Sequence, residues 1–284
     1  MSDPDGRLRV LVDQLTDRSE LTPAWRASFL AVPRHQFIPD TIWLSNGRSL
    51  TPLRRDEDPQ GWLDRAYDRD FVVIQVDDGN PDGDRGRDIT SSASHPGVVA
   101  VMLAALDARP GMSVLEIGTG SGYNAALLAA RLGAQHVTTI EIDSQLASHA
   151  RAALATTGFD RVTVITGDGA WGHPARAPYD RIISTAAVTE LPYAWVAQTR
   201  PGGLVLTPWA TAPTTPVGCC RSPSRMTAPR RAASSPTCPS CGCAINGPRR
   251  RTRPRSTPAW APPAAPGCTP MTWPVSPEPR SPSA

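Results

Sequence analysis

The chain has 284 residues, 40% of them hydrophobic, and a formal net charge of +3, enough material for the core of one large or two smaller domains. No apolar stretch is long enough to span a bilayer. The start, Met1 to Arg7, has no apolar run behind basic residues, so no signal peptide is expected and the cytoplasm is the expected location. The charge is unevenly placed: 10 arginines and one acid (Glu278) follow residue 210, leaving 19 arginines against 25 acids before it. All 29 basic residues are arginine, a mark of GC-rich coding rather than of function.

Residues 1–40 carry helical periodicity in Leu8, Leu11, Val12 and Leu15, then in Trp25, Phe29 and Leu30, with Pro23 placed to open a helix after Thr22. Val32 to Asp40 reads V-P-R-H-Q-F-I-P-D, in which Arg34 and His35, taken alone, are structural or surface residues. Residues 45–66 read as an irregular polar segment anchored by Trp62, and Phe71 to Val76 as a buried strand. The following D-D-G-N-P-D-G-D-R-G-R-D has the composition of a mobile surface loop.

Ile89 to Pro96, I-T-S-S-A-S-H-P, precedes an apolar helix running through Val98, Val101 and Leu106. Its plain reading is helix capping by Ser92 or Ser94.

Val114 to Tyr123, V-L-E-I-G-T-G-S-G-Y, is the stretch around which the rest is organised. An apolar strand runs into Gly118, Gly120 and Gly122, and a helix follows at once. Glycine lets the backbone turn tightly and approach a ligand, and the helix offers free N–H groups and a positive dipole end. A nucleotide-like cofactor fits such a turn. The spacing G-x-G-x-G behind Glu116 departs from the G-x-G-x-x-G of dinucleotide sites, which disfavours a nicotinamide-dependent oxidoreductase.

Gln135 to Ile142 is a second strand ending near Glu141, 21 residues after Gly120, where an acid can accept both ribose hydroxyls of an adenosine. A helix through Leu146, Ala150 and Leu154 leads to a third strand, Val162 to Ile165, and to the Asp-Gly turn at Asp168. A fourth strand within Ala177 to Ala187, a helix, a Pro-Gly-Gly turn and a fifth strand ending at Trp209 complete the pattern. Alternating strands and helices predict an α/β fold, a parallel sheet covered on both faces, with the ligand at the carboxyl ends of the strands.

E-x-G-x-G-x-G is similar to motif I of the S-adenosylmethionine-dependent methyltransferases. From Val32 to Trp209 the chain resembles the protein-L-isoaspartate O-methyltransferases, specifically an actinobacterial-type branch. The resemblance rests on V-P-R-H-Q-F-I-P, the serine segment aligned on Pro96, T-G-D-G at Asp168 and A-P-Y-D-R-I from Ala177. It implies a Rossmann-like methyltransferase fold with S-adenosylmethionine as cofactor. Glu116, Gly118, Gly120 and Gly122 would seat its methionine end, Glu141 the ribose and Asp168 the adenine amino group. Ser94 takes the place of the family's active-site serine, with Ser92 and His95 as substrate-side residues. The G-Q expected ahead of that segment is replaced by Arg87 and Asp88. The implied reaction is carboxyl methylation of L-isoaspartyl or D-aspartyl residues in proteins or peptides, the ester then closing to a succinimide. Maturation of a ribosomally made peptide at a normal aspartate, and a damaged non-catalytic relative, stay open as alternatives.

The expected organisation is an N-terminal helical, substrate-side region (1–88), a cofactor-binding domain (89–210) and a disordered or frameshifted tail (211–284). The tail's wealth of Pro, Arg, Ser and Cys looks like GC-rich DNA read out of frame, Cys219-Cys220 lying across two leucine codons in another frame. Cys238, Cys241 and Cys243 lack a second ligand pair and any tail histidine, so no metal site is expected. The cluster from Arg249 to Arg255 has no aromatic platform, so no nucleic-acid partner is expected.

Overall fold

The computed structural model describes residues 3–47 and 49–210 and, for Gly218–Pro223, the backbone. The first four helices, α1 (Pro4–Asp17), α2 (Pro23–Ala31), α3 (Pro59–Ala66) and α4 (Pro96–Leu106), each begin at a proline. The first helical position suits proline because its fixed φ is already helical and its missing N–H would have no partner there. Asp3 and Asp58 cap α1 and α3 by accepting from Gly6 N and Gly61 N.

Between these helices lies an antiparallel sheet that the sequence reading did not foresee. Its strands are β1 (Thr41–Ser45), β2 (Leu50–Arg54), β3 (Val72–Val76) and β4 (Ile89–Ala93), in the order β2-β1-β3-β4. Only β3 was expected. The segment read as irregular instead contains β1, β2 and α3. Strands of five residues with Pro52 inside one of them leave little alternation to detect, and β2 tolerates Pro52 because it is an edge strand.

The acidic excursion from Asp77 to Asp88, expected to be mobile, is fastened at its base. The Asp77 carboxylate accepts from the backbone N–H groups of Arg87 and Asp88, and Leu50 and Gly86 exchange backbone hydrogen bonds at 2.9 and 2.8 Å.

The second sheet is the expected parallel one. It contains β5 (Val114–Ile117), β6 (Val137–Glu141), β7 (Thr163–Thr166), β8 (Tyr179–Ser184) and β9 (Thr199–Trp209). The helices α5 (Tyr123–Leu132), α6 (Ser144–Thr156) and α7 (Tyr193–Gln198) connect them. A sixth strand, β10 (Gly218–Pro223), pairs antiparallel with β9, Gly218 opposite Trp209. These six residues extend the sheet beyond Trp209, where the hydrophobic pattern stops. The other tail readings, Cys238, Cys241, Cys243 and the arginine cluster, lie outside the described residues.

The order is β10-β9-β8-β5-β6-β7, so chain direction across the sheet reverses between β5 and β8. Side chains alternate across it: Val114 and Ile183 join the large core with α1, α2, α4 and α5, while Leu115, Ile117 and Ile182 pack with Trp195 of α7 on the other face. Among the described residues, no helix is long and apolar enough to cross a membrane.

Arg34, read as structural or surface, is a fully buried guanidinium between the two halves. Nη1 donates to the carbonyls of Ala66 (2.8 Å) and Asp68 (3.2 Å), and Nη2 to those of Ala93 (3.4 Å) and Ser94 (3.0 Å). Its carbon Cζ lies 6.0 Å from the ring centre of Tyr123. Burial lowers its pKa from the usual arginine value. Both Arg34→Lys and Arg34→Met are expected to lose about 3 kcal/mol or more of stability in urea unfolding, because several buried carbonyls lose a donor. Lysine fails because a compact ammonium cannot span the fork. An Arg34→Lys chain as stable as its parent would show that the fork is not what ties these segments.

Candidate active site

A cavity of about 490 Å³ opens at the carboxyl ends of β5, β6 and β8, at the reversal point where open α/β sheets bind ligands. Its walls include the turn Gly118–Ser121, Glu141, Asp168 and the segment Ile89–Ser94.

The turn needs its glycines for definite reasons. Gly118 and Gly122 both have φ +87°, a region that L side chains avoid. A Cβ on Gly118 would lie 2.7 Å from Thr185 Oγ1, whose hydroxyl bonds the Gly118 carbonyl at 2.6 Å. A Cβ on Gly122 would press on Ala150 of α6 at 3.2 Å.

Glu141 closes the other side of the turn. Its Oε2 accepts from Gly120 N at 2.8 Å and its Oε1 from Asp143 N at 3.1 Å, so residues 21 apart in sequence meet in one hydrogen bond. Asp168 is exposed on the cavity wall, with Oδ1 accepting from Ala170 N at 2.8 Å. That bend is held from behind by Trp195 Nε1, which donates to the Gly169 carbonyl at 2.8 Å.

The serine segment faces the glycine turn: the Cβ direction of Gly120 points to within 3.9 Å of the Ser92 carbonyl and 4.0 Å of Ser91 Oγ. Ser92 and Ser94, both half-buried, line the cavity. Ser94 also lines an adjoining apolar cavity of about 240 Å³ with Val98, Met102 and Pro208.

Three expected site residues, Gly122, His95 and Glu116, do not line the cavity; Gly122 lies at the start of α5 with its Cα side turned to Ala150 of α6. His95 caps α4, Nδ1 accepting from Gly97 N at 3.0 Å, the task first read for Ser92 or Ser94. With Pro96 at the first helical position, the residue before it is the cap, and burial lowers the His95 pKa from the usual imidazole value. Glu116 is fully buried beneath the turn, its carboxylate bonded to Asn124 and Thr139. Burial pushes it up to about 7. Neither Arg34 nor His35 lines the cavity; His35 Nδ1 lies 2.7 Å from the Tyr67 hydroxyl, whose pKa burial raises to about 12.

Several cavity residues carried no sequence signal. Asn124, Thr119 and Thr185 are ordinary polar residues in a helix or turn. Ile142, directly after Glu141 and 72% exposed, was legible only as an apolar residue beyond a strand end.

The family model described as Protein-L-isoaspartate(D-aspartate) O-methyltransferase matches residues 63–215, just over half of the chain. A protein-L-isoaspartate O-methyltransferase of Methanopyrus kandleri is 39% identical over 183 residues, covering 64% of this chain and 66% of its own length. One of Azorhizobium caulinodans is 46% identical over 194 residues, covering 68% and 81%. The chain spans just under two thirds of the Methanopyrus relative and 52% of one from Pyrococcus horikoshii. A solved protein-L-isoaspartate O-methyltransferase superposes with a TM-score of 0.60 at 24% identity, covering 76% of this chain and 59% of that one. A candidate protein-L-isoaspartate O-methyltransferase of Plasmodium falciparum, solved with S-adenosyl-L-homocysteine, superposes with a TM-score of 0.58 at 16% identity, covering 76% and 89%. With the glycine turn, the Glu141 contact and the serine segment in one cavity, the chain belongs to the protein-L-isoaspartate(D-aspartate) O-methyltransferase family.

Proposed function

We propose that the chain is an S-adenosylmethionine-dependent carboxyl O-methyltransferase acting on L-isoaspartyl or D-aspartyl residues of proteins or peptides. The observation that carries this reading is the facing of two walls in one cavity: the Gly118–Ser121 turn with Glu141 on one side and the Ser91–Ser94 segment on the other, a Cβ on Gly120 coming within 3.9 Å of the Ser92 carbonyl. One wall suits a nucleoside and the other a carboxylate.

The cavity volume lies within the range of pockets that enclose molecules of cofactor size. The Glu141 carboxylate keeps acceptor capacity beyond its two N–H partners for a pair of ribose hydroxyls. Asp168 offers a carboxylate oxygen to an adenine amino group, and Ile142 and Ala170 offer apolar surface on the same wall. The cofactor, when bound, supplies a methyl group made electrophilic by its sulfonium.

No strong general base is needed, because an acceptor carboxylate is already ionised at neutral pH. The protein's contribution is placement. The Ser94 hydroxyl donates to one acceptor oxygen and leaves the other directed at the methyl group, with Ser92 beside it. A methyl ester carries a better leaving group than a free carboxylate, so a neighbouring backbone nitrogen can then attack its carbonyl, expel methoxide, which leaves as methanol with the nitrogen's proton, and close a succinimide. A cytoplasmic location belongs to this reading.

In calorimetric titration with S-adenosylmethionine, the unaltered chain is expected to bind saturably and Glu141→Ala to bind about 10- to 100-fold more weakly, the size of a lost charge-assisted contact. Ser94→Ala should retain cofactor binding yet lose about 10- to 100-fold in kcat/KM on an isoaspartyl peptide. Equal activity of Ser94→Ala and the parent would remove the serine from the acceptor site. Methylation of normal aspartyl peptides in preference to isoaspartyl ones would overturn the substrate assignment.

A further inference from the structure

A line of hydrogen bonds runs beneath the glycine turn. Glu116 Oε1 accepts from Asn124 Nδ2 at 2.7 Å and Oε2 from Thr139 Oγ1 at 2.6 Å. Thr139 Oγ1 is in turn 2.6 Å from Thr119 Oγ1. Glu116 and Thr139 are register partners on β5 and β6, and neither lines the cavity, whereas Asn124 and Thr119 both do. A buried carboxylate therefore touches two wall residues, one directly and one through a hydroxyl.

Each hydroxyl has one proton to give. With Glu116 ionised, the carboxylate only accepts, so Thr139 donates to it and Thr119 donates to Thr139. Thr119 then has only lone pairs left for the cavity. Asn124 gives one amide N–H to Oε1 and keeps its other N–H and Oδ1 whichever form Glu116 takes, so it does not change character with the proton. Thr119 is an acceptor toward the cavity in this state. A proton added to Glu116 goes to Oε2, because Oε1 already faces the Asn124 donor. Glu116 then donates to Thr139, Thr139 to Thr119, and the Thr119 proton is released toward the cavity.

We propose that Glu116 is a positioning residue which sets, through Thr139, whether Thr119 meets the amino-acid end of the cofactor as acceptor or donor. The ionised form receives the cofactor's ammonium group, and binding from the protonated form releases a proton. This inference rests on the cofactor reading above. Burial raises the Glu116 pKa to about 7, with the Thr139 and Asn124 hydrogen bonds opposing and the charge of Glu141 adding to the rise. Both forms are thus populated near neutrality. The carboxylate meets Asn124 from α5 and Thr139 from β6, and its register partner on β8 is the apolar Ile183. Glu141, at the end of β6, is the charged group whose field reaches it.

The test is calorimetric titration with S-adenosylhomocysteine between about pH 5.5 and 8.5, the range that brackets this titration. Affinity of the unaltered chain is expected to weaken as pH falls through the Glu116 titration, by up to about tenfold per pH unit, the limit for one linked proton. Glu116→Gln, whose amide donates to Thr139 as the protonated acid does, should bind at the weak level without that slope; it shares the ligand's own titration, which cancels in the comparison. Thr139→Val keeps the carboxylate but breaks the relay and should also lose the slope, while Thr139→Ser restores it. Methylthioadenosine, which lacks the amino-acid arm, should show no slope with the unaltered chain. Repeating the titration in buffers of different ionisation enthalpy should show proton release from the unaltered chain near neutral pH and none beyond the ligand's own from Glu116→Gln.

A purely structural Glu116 would lower thermal stability on substitution and leave these slopes untouched. Parallel pH profiles for the unaltered chain and Glu116→Gln would overturn the proposal, as would a slope with methylthioadenosine equal to that with S-adenosylhomocysteine. Failure of the folded, unaltered chain to bind S-adenosylhomocysteine at any pH would instead overturn the cofactor reading and this inference with it.

Discussion

The buried guanidinium of Arg34 is the contact on which the arrangement of the site depends. Its fork takes carbonyls from the end of α3, from the approach to β3 and from the last turn of chain before α4. With no ion pair to a carboxylate among the described residues, it is held by carbonyl dipoles and by the face of Tyr123. A cation desolvated in this way is costly unless every partner is in place. In this fold both terminal nitrogens of Arg34 meet carbonyls while Nε has no hydrogen-bond partner, and in that arrangement the serine segment lies opposite the glycine turn.

The consequence is a cavity assembled from two sheets. The antiparallel sheet contributes β4 and the serines that follow it, and the parallel sheet contributes the turn after β5 and the acid at the end of β6. Tyr123 belongs to both halves: it starts α5 directly after the last glycine, and its ring lies against Phe29, Phe37 and Arg34. Packing of the N-terminal helices is thereby coupled to the first turn of the helix that backs the cofactor wall.

The parallel sheet was legible because its constraints are local. A glycine turn between an apolar strand and a helix, an acid at a fixed distance from it, and an Asp-Gly bend at the next strand end are all short patterns. Arg34 was not legible, since its carbonyl partners lie 32 to 60 residues away and carbonyls are common to every residue type. The antiparallel sheet escaped because its strands are short and its edge carries Pro52. The capping role of His95 was not legible because a histidine cap and a histidine in a binding site look alike until Nδ1 is seen on Gly97 N. Asn124 and Thr139 were silent for a related reason: threonine favours strands whether or not its hydroxyl is used.

The double hydrogen bond on Glu141 has a thermodynamic meaning beyond its geometry. A carboxylate gripped by the N–H groups of Gly120 and Asp143 has lost its rotamer freedom during folding. The entropy of ordering such a side chain, about 1 kcal/mol, is then spent before any ligand arrives. The grip also sets a length requirement: aspartate, one methylene shorter on the same strand, could not reach the loop amide without pulling β6 toward it. Recognition at this wall is thus enforced by reach as much as by charge.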